Sequence, residues 1–240
     1  MLCKILLVVL FLALLAAASA FAGTRYRSGK NRNSGAEHNS ETENSSETQN
    51  TSKAKSASGT GRSFQLTARK LTFCAIAIAL GTVLSNVKLY SFPFGGSVTL
   101  LSMLFICLPG CWFGAGTGII TGVAYGILQL LIDPYVIHPA QLLVDYLLAF
   151  GAFGLSGLFM DRKNGLVKGY IAGVTGRWIF TTISGWIFFA EYAWEGWNPL
   201  PYSMVYNGIY IFAESVVTLL ILAIPQVKEA FSRVRKLALE

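Results

Sequence analysis

The sequence predicts an all-α, polytopic membrane protein built as a bundle of six transmembrane helices. Three observations point there. Only 13% of the 240 residues are charged while 53% are hydrophobic, against about a quarter charged in soluble domains. The apolar residues are gathered into consecutive segments, and the basic residues stand where those segments end. A soluble fold of this length has too little interior to hide so much apolar surface. Residues 23–64 are almost wholly polar, so the rest of the chain is more apolar than the average, +0.53 in mean hydropathy, conveys.

Segment 1–22 is apolar behind Lys4 and carries Ala18-Ser19-Ala20 near its end. It reads as signal-like or as an extra N-terminal span. Residues 23–64, rich in Ser, Asn, Thr and Gly, cannot bury a core and read as a disordered polar linker. Its tripeptides Asn44-Ser45-Ser46 and Asn50-Thr51-Ser52 match the glycosylation pattern, which a stretch of this composition meets by chance. Residues 65–227 form the membrane domain, with helices expected at about 66–87, 98–109, 112–132, 140–160, 166–190 and 203–225. A span needs ~20 apolar residues, so the second helix, too short, is expected to be tilted or partly re-entrant. The third carries Gly114, Gly116, Gly118, Gly122 and Gly126. Small residues at four-residue intervals let helices approach closely in lipid, and no Lys or preceding strand makes this run a phosphate loop. Residues 228–240 form a basic C-terminal tail.

The net charge of +7 belongs to topology rather than to a nucleic-acid groove. Arg69 and Lys70 precede the first helix, Arg162, Lys163 and Lys168 surround the connection after the fourth, and Lys228, Arg233, Arg235 and Lys236 follow the sixth. The positive-inside rule puts these three places in the cytoplasm. Asp133, His138, Glu191 and Glu195, with Lys88 the one cation, then face outward. Arg25, Arg27, Lys30 and Arg32 outweigh Lys4, so a retained segment 5–22 runs outside to inside and leaves the linker in the cytoplasm; a cleaved signal peptide would put the linker outside, against Arg69 and Lys70. Cys3, Cys74, Cys107 and Cys111 match neither a disulfide framework nor a zinc site, and neither metal nor cofactor is expected.

Polar and aromatic residues gather in the outer third of the bundle. Tyr135 lies in an outer loop, Asp145 and Tyr146 in the outer part of helix 4, Phe189 at the end of helix 5, and Tyr202, Tyr206 and Asn207 at the start of helix 6. Single rings belong equally to ordinary interfacial belts. A carboxylate or carboxamide within a span is costly and usually functional. Rings with one carboxylate and one carboxamide suit a flat, cationic, hydrogen-bonding ligand. Arg177 and Glu214 fall at similar depth in helices 5 and 6 and are expected to pair as a structural ion pair.

Four blocks in these segments resemble a known family. They are Ala79-Leu80-Gly81-Thr82-Val83-Leu84-Ser85 followed by Gly95-Gly96-Ser97-Val98-Thr99-Leu100-Leu101-Ser102-Met103; Gln141 through Phe150; Ile183 through Phe189; and Tyr202 through Gly208. Over residues 68–225 their order and spacing resemble the thiamine-specific S components of energy-coupling factor (ECF) transporters. The resemblance implies a multi-pass subunit of the bacterial cell membrane that captures thiamine from outside. A separate coupling transmembrane subunit and two ATPase subunits would power release. It implies a pocket of Tyr135, Asp145, Tyr146, Thr181, Phe189, Tyr202 and Asn207, and a helix 1 face at Ala75 and Ala79 that meets the coupling subunit. The small-residue pairs Ala75/Ala79 and Ala77/Gly81 serve equally as intrabundle packing. Two positions depart from the family pattern: Thr181 replaces the usual His and Asp145 the usual Glu. Both leave room for a precursor pyrimidine or another cationic heterocycle.

Two other classes compete. An intramembrane enzyme needs a nucleophile–base pair or metal ligands at membrane depth, yet His38 is in the linker and His138 in an outer loop. A structural membrane protein without ligand predicts that the outer polar residues scatter. No Gly-x-x-x-x-Gly-Lys-[Ser/Thr] occurs, so ATP hydrolysis falls to partners.

Overall fold

The computed structural model describes residues 67–240; the signal-like segment and the polar linker, with its glycosylation tripeptides, lie outside the described residues. Helix α1 spans Ala68–Ser85 and leads into a small antiparallel hairpin, β1 (Tyr90–Ser91) against β2 (Ser97–Val98), with Tyr90 opposite Val98. Helices α2 (Ser102–Phe113), α3 (Ala115–Ile132), α4 (Pro139–Phe159), α5 (Gly165–Phe188) and α6 (Pro199–Ala223) complete the bundle, and α7 (Pro225–Leu239) follows. The six-helix, all-α architecture is the one expected from sequence.

Among the described residues, α1, α3, α4 and α6 are long and apolar enough to cross a membrane. Helix α5 has 24 residues but carries Lys168, Arg177 and a Thr/Ser run. Helix α2 has 12 residues, about 18 Å at 1.5 Å per residue, short of the ~30 Å hydrocarbon core. Its place explains its length. Ser102 to Trp112 are all buried, among α1, α3, α4 and α5, so protein rather than lipid surrounds its backbone. It starts four residues later than expected because the hairpin uses Ser97 and Val98, and Leu101 then turns the chain at φ 61°. Helix α6 starts earlier than expected: the Asn198 side chain accepts from Leu200 N–H at 3.1 Å, with Pro199 in the first turn.

The glycines of α3 let α4 come to backbone contact. A Cβ on Gly118 would lie 2.7 Å from Gly110 Cα and 2.8 Å from Gly154 Cα, and one on Gly122 would lie 2.2 Å from the Phe150 carbonyl oxygen. Close approach of this kind replaces the hydrophobic driving force that lipid removes.

The chain's two ends of the bundle differ in charge. The hairpin, the α3–α4 loop and the α5–α6 connection, with Asp133, Glu191 and Glu195, form an acidic end. The start of α1, the α4–α5 turn and α7 form a basic end. The tail read as merely basic is mostly helical. One face of α7 buries Phe231 and Ala238, and the Phe231 ring stands 6.2 Å from Phe105 of α2.

Candidate functional site

Helix α4 is not regular where its unusual residues lie. Leu143–Leu148 form a π-helical turn that holds Asp145 and Tyr146. The wider turn changes the direction of the side chains that follow, a device common at functional sites. One turn before it, Gln141 is 1% exposed. Its Nε2 donates to the Tyr135 carbonyl at 2.9 Å and to Oδ2 of Asp145 at 3.0 Å, while its Oε1 accepts from Ile137 N–H at 2.9 Å. The Tyr146 hydroxyl accepts from Tyr135 N–H at 2.8 Å. These bonds tie the loop bearing Tyr135 to α4, so loop and carboxylate hold one arrangement.

The other wall comes from α5 and α6. Asn207 is buried; its Nδ2 donates to the carbonyls of Ser203 at 2.9 Å and Thr181 at 3.3 Å, and its Oδ1 accepts from the Tyr210 hydroxyl at 2.7 Å. The Thr181 hydroxyl donates back to the carbonyls of Arg177 and Trp178, each at 3.1 Å. Thr181 thus spends its donor on its own helix, and Asn207 spends its donors on carbonyls of α5 and α6. Tyr206 spans to the hairpin: its hydroxyl donates to Gly95 O at 3.0 Å and accepts from Phe94 N–H at 3.1 Å. Gly96 has φ 81°, and a Cβ there would meet the Tyr210 ring at 2.6 Å, so the turn needs glycine on both counts.

Between these walls a cavity of about 210 Å³ opens at the acidic end. Tyr135, Asp145, Tyr146, Thr181, Phe189, Tyr202 and Asn207 all line it. Tyr135 and Phe189 stack across it with centroids 6.0 Å apart and planes 13° from parallel. Burial raises the phenol of Tyr135 above its ordinary value, so it is a neutral O–H at physiological pH. At the mouth Lys88 forms an exposed ion pair with Asp133, joining the hairpin side to the α3–α4 loop. The scattering expected of a ligand-free structural protein is not what these residues do.

The expected Arg177–Glu214 ion pair is corrected. Both line the cavity, but the Glu214 carboxylate is taken up elsewhere. It accepts from the N–H groups of Thr99 at 3.2 Å and Met103 at 3.1 Å, and from the hydroxyls of Thr99 and Ser102. It therefore caps the start of α2, where free N–H groups and the helix dipole favour an anion. The Arg177 guanidinium lies 4.4 Å above the Phe150 ring instead. Similar depth on neighbouring helices did not distinguish a partner on α5 from the nearer amides of α2.

Sequence reasoning missed Gln141 as a positioning group, together with Tyr125, Gln129, Ser203 and Tyr210 in the lining. The signal was spacing: Gln141 and Asp145, Tyr125 and Gln129, and Tyr202, Tyr206 and Tyr210 recur every four residues on one face. On α1 the two small-residue pairs part company. Ala77 and Gly81 are buried, while Ala75 and Ala79 are exposed.

The model of the thiamine transporter protein family (Thia_YuaJ) matches residues 71–233. The chain belongs to this family. Thiamine transporter ThiT of Bacillus subtilis (strain 168) is 30% identical over 171 residues, 65% of this chain and 88% of the relative. Thiamine transporter ThiT of Lacticaseibacillus paracasei is 26% identical over 144 residues, 53% of this chain and 68% of the relative. The solved structure of ThiT from Listeria monocytogenes superposes with a TM-score of 0.58 at 25% identity, covering 68% of this chain and 96% of its own. As a member of the thiamine transporter family the chain is a membrane transport component and not an enzyme, and no group of three or more His, Cys, Asp or Glu poised for a metal occurs among the described residues.

Proposed function

We propose that this chain is the substrate-binding membrane subunit of a thiamine uptake transporter, loading its ligand through the cavity at the acidic end. One observation carries the reading: a half-buried carboxylate, Asp145, shares a cavity with the stacked rings of Tyr135 and Phe189. Stacked rings accept a flat heterocycle, and rings and carboxylate together favour a positive charge. Gln141 fixes one carboxylate oxygen, so little freedom is lost when a ligand arrives. Tyr146, Tyr202, Thr181 and Asn207 complete the pocket, the last two chiefly by positioning α5 against α6.

The basic end faces the cytoplasm and the acidic end faces outward, a reading that the distribution of Lys and Arg supports. Transport is driven by an ECF module, a coupling transmembrane subunit with two ATPase subunits, and the exposed Ala75 and Ala79 of α1 form the surface that meets the coupling subunit. Small exposed residues in lipid invite a close helix partner.

Titrating thiamine against the tryptophan fluorescence of the full chain in detergent tests the ligand assignment. Trp194 stands 5.2 Å from the Tyr202 ring, so saturable quenching is expected, lost in Asp145→Ala. Asp145→Asn is expected to weaken thiamine far more than a neutral analogue; equal losses would reduce the carboxylate to a hydrogen-bonding role. Tighter binding of the precursor pyrimidine than of thiamine would move the assignment to that ligand, the alternative that Thr181 and Asp145 keep open. Absence of any response to both compounds would remove the vitamin reading.

A further inference from the structure

A second cavity, about 260 Å³, lies at the opposite, basic end of the bundle. The pocket for the transported ligand does not include it, and nothing in the proposed function uses it. Arg162 from the α4–α5 turn and Lys228 and Arg235 from α7 line it, and no acidic side chain does. The acidic residue nearest on α7, Glu229, is already paired with Arg233, which does not line the cavity. Three cations line one cavity with no acidic side chain in its wall, a lining that favours an anion.

The backbone adds donors. Helix α5, 24 residues long, begins here, and its N-cap Asn164 sits at φ 58° without making a side-chain cap. Gly165 N–H bonds the Arg162 carbonyl at 2.8 Å and Lys168 N–H the Asn164 carbonyl at 3.1 Å. Neither the Leu166 nor the Val167 amide makes such a turn bond, and both residues line the cavity. A second, independent feature points to a ligand. The Arg235 guanidinium is anchored by one nitrogen, Nη2 donating to Met160 O at 2.9 Å, while its buried Nε has no partner. A buried donor left unpaired is disfavoured, and an oxyanion at this point would relieve it.

Trp112, Leu222 and Phe231 add apolar surface to the wall. That combination suits a phosphate ester that carries hydrocarbon. We infer that the basic-end cavity binds a phosphate oxyanion, held by Arg162, Lys228, Arg235 and the first-turn amides of α5. An anionic phospholipid headgroup and free phosphate share this chemistry.

Thermal unfolding of the full chain in dodecyl maltoside distinguishes them. Dioleoylphosphatidylglycerol, dioleoylphosphatidylcholine and sodium phosphate are each titrated, the last against sodium chloride at equal ionic strength. A headgroup site predicts that phosphatidylglycerol raises Tm saturably and phosphatidylcholine does not. The half-saturating concentration should rise about fivefold in Lys228→Gln and again in Arg162→Gln. Arg233→Gln removes the same charge from the same helix outside the cavity and should leave it unchanged. Arg162 and Lys228 are exposed, so the test stands even if Arg235→Gln fails to fold. A rise with sodium phosphate alone, lost in the same variants, keeps the site and makes its ligand the free anion. Equal shifts with both lipids, equal loss in Arg233→Gln, or no shift with any addition would overturn the proposal. Thiamine titration reads a different cavity, so either result stands without the other.

Discussion

From Gly118 to Gly126, α3 meets α4 through glycines so close that added Cβ atoms would fall within 3 Å of backbone atoms of the partner helices. Beyond Gly126 the same helix presents Gln129 and Ile132 to the cavity, and α4 presents Asp145 and Tyr146. The first region is held by backbone proximity and tolerates nothing larger than hydrogen. The second is held by side-chain hydrogen bonds between α4, the loops and α6. One stretch is thus fixed by backbone contact, and the other by a network of side-chain hydrogen bonds around the cavity.

The harshest way to break this contrast is Gly118→Val. With neighbouring Cα atoms at 2.7 and 2.8 Å, no side chain can move aside, and a loss of about 3 kcal/mol or more is expected, seen as a collapse in folded yield or Tm. A merely local loss of thiamine binding with Tm intact would mean that the backbone contact is softer than its geometry implies. Next comes Glu214→Gln, which exchanges an anion for a group that can satisfy only some of the amides and hydroxyls gathered at the start of α2. A fall of about 2 kcal/mol in stability is expected, from charge-assisted hydrogen bonds and the dipole, measured by thermal unfolding. Arg177→Met should cost less than Glu214→Gln, because the guanidinium rests on Phe150 rather than on that carboxylate; equal costs would restore an ion pair.

At the mouth, Gln141→Leu sharpens the comparison. It removes the bonds to Tyr135, Ile137 and Asp145 together and should weaken thiamine about tenfold, one hydrogen-bonding group's worth, while Tm changes little beside Gly118→Val. Fluorescence titration and unfolding on the same sample separate the two. Smallest is Lys88→Ala. The Lys88–Asp133 pair is exposed, and such pairs contribute ~0–1 kcal/mol, so the expected change in affinity is less than about fivefold and should fade as salt rises.

How much of this was legible in the chain varies by residue. Six helices were legible because each apolar segment must satisfy its own backbone in lipid. The short α2 was seen as short, but its burial at the centre was not, since every one of its residues reads equally well against lipid or protein. Tyr135, Asp145, Tyr146, Thr181, Phe189, Tyr202 and Asn207 were named from composition, depth and resemblance, and all line one cavity. Their division of labour was invisible. Asn207 reads as a ligand contact in sequence, yet its donors are bound to carbonyls of α5 and α6. Gln141, an unremarkable polar residue in sequence, organises the carboxylate and the loop.

Apolar runs, the places of Lys and Arg, and glycines at four-residue spacing determined by themselves that the chain enters a membrane, that six apolar helices form the bundle and which ends share a charge. These are properties of single segments facing a solvent. Which carboxylate caps which helix, that α7 closes the basic end, and that Glu214 turns from Arg177 to the α2 amides were decided only by the tertiary structure. Partners at such sites are chosen by a few ångströms of distance between helices remote in sequence, and no pattern along one chain encodes those distances directly.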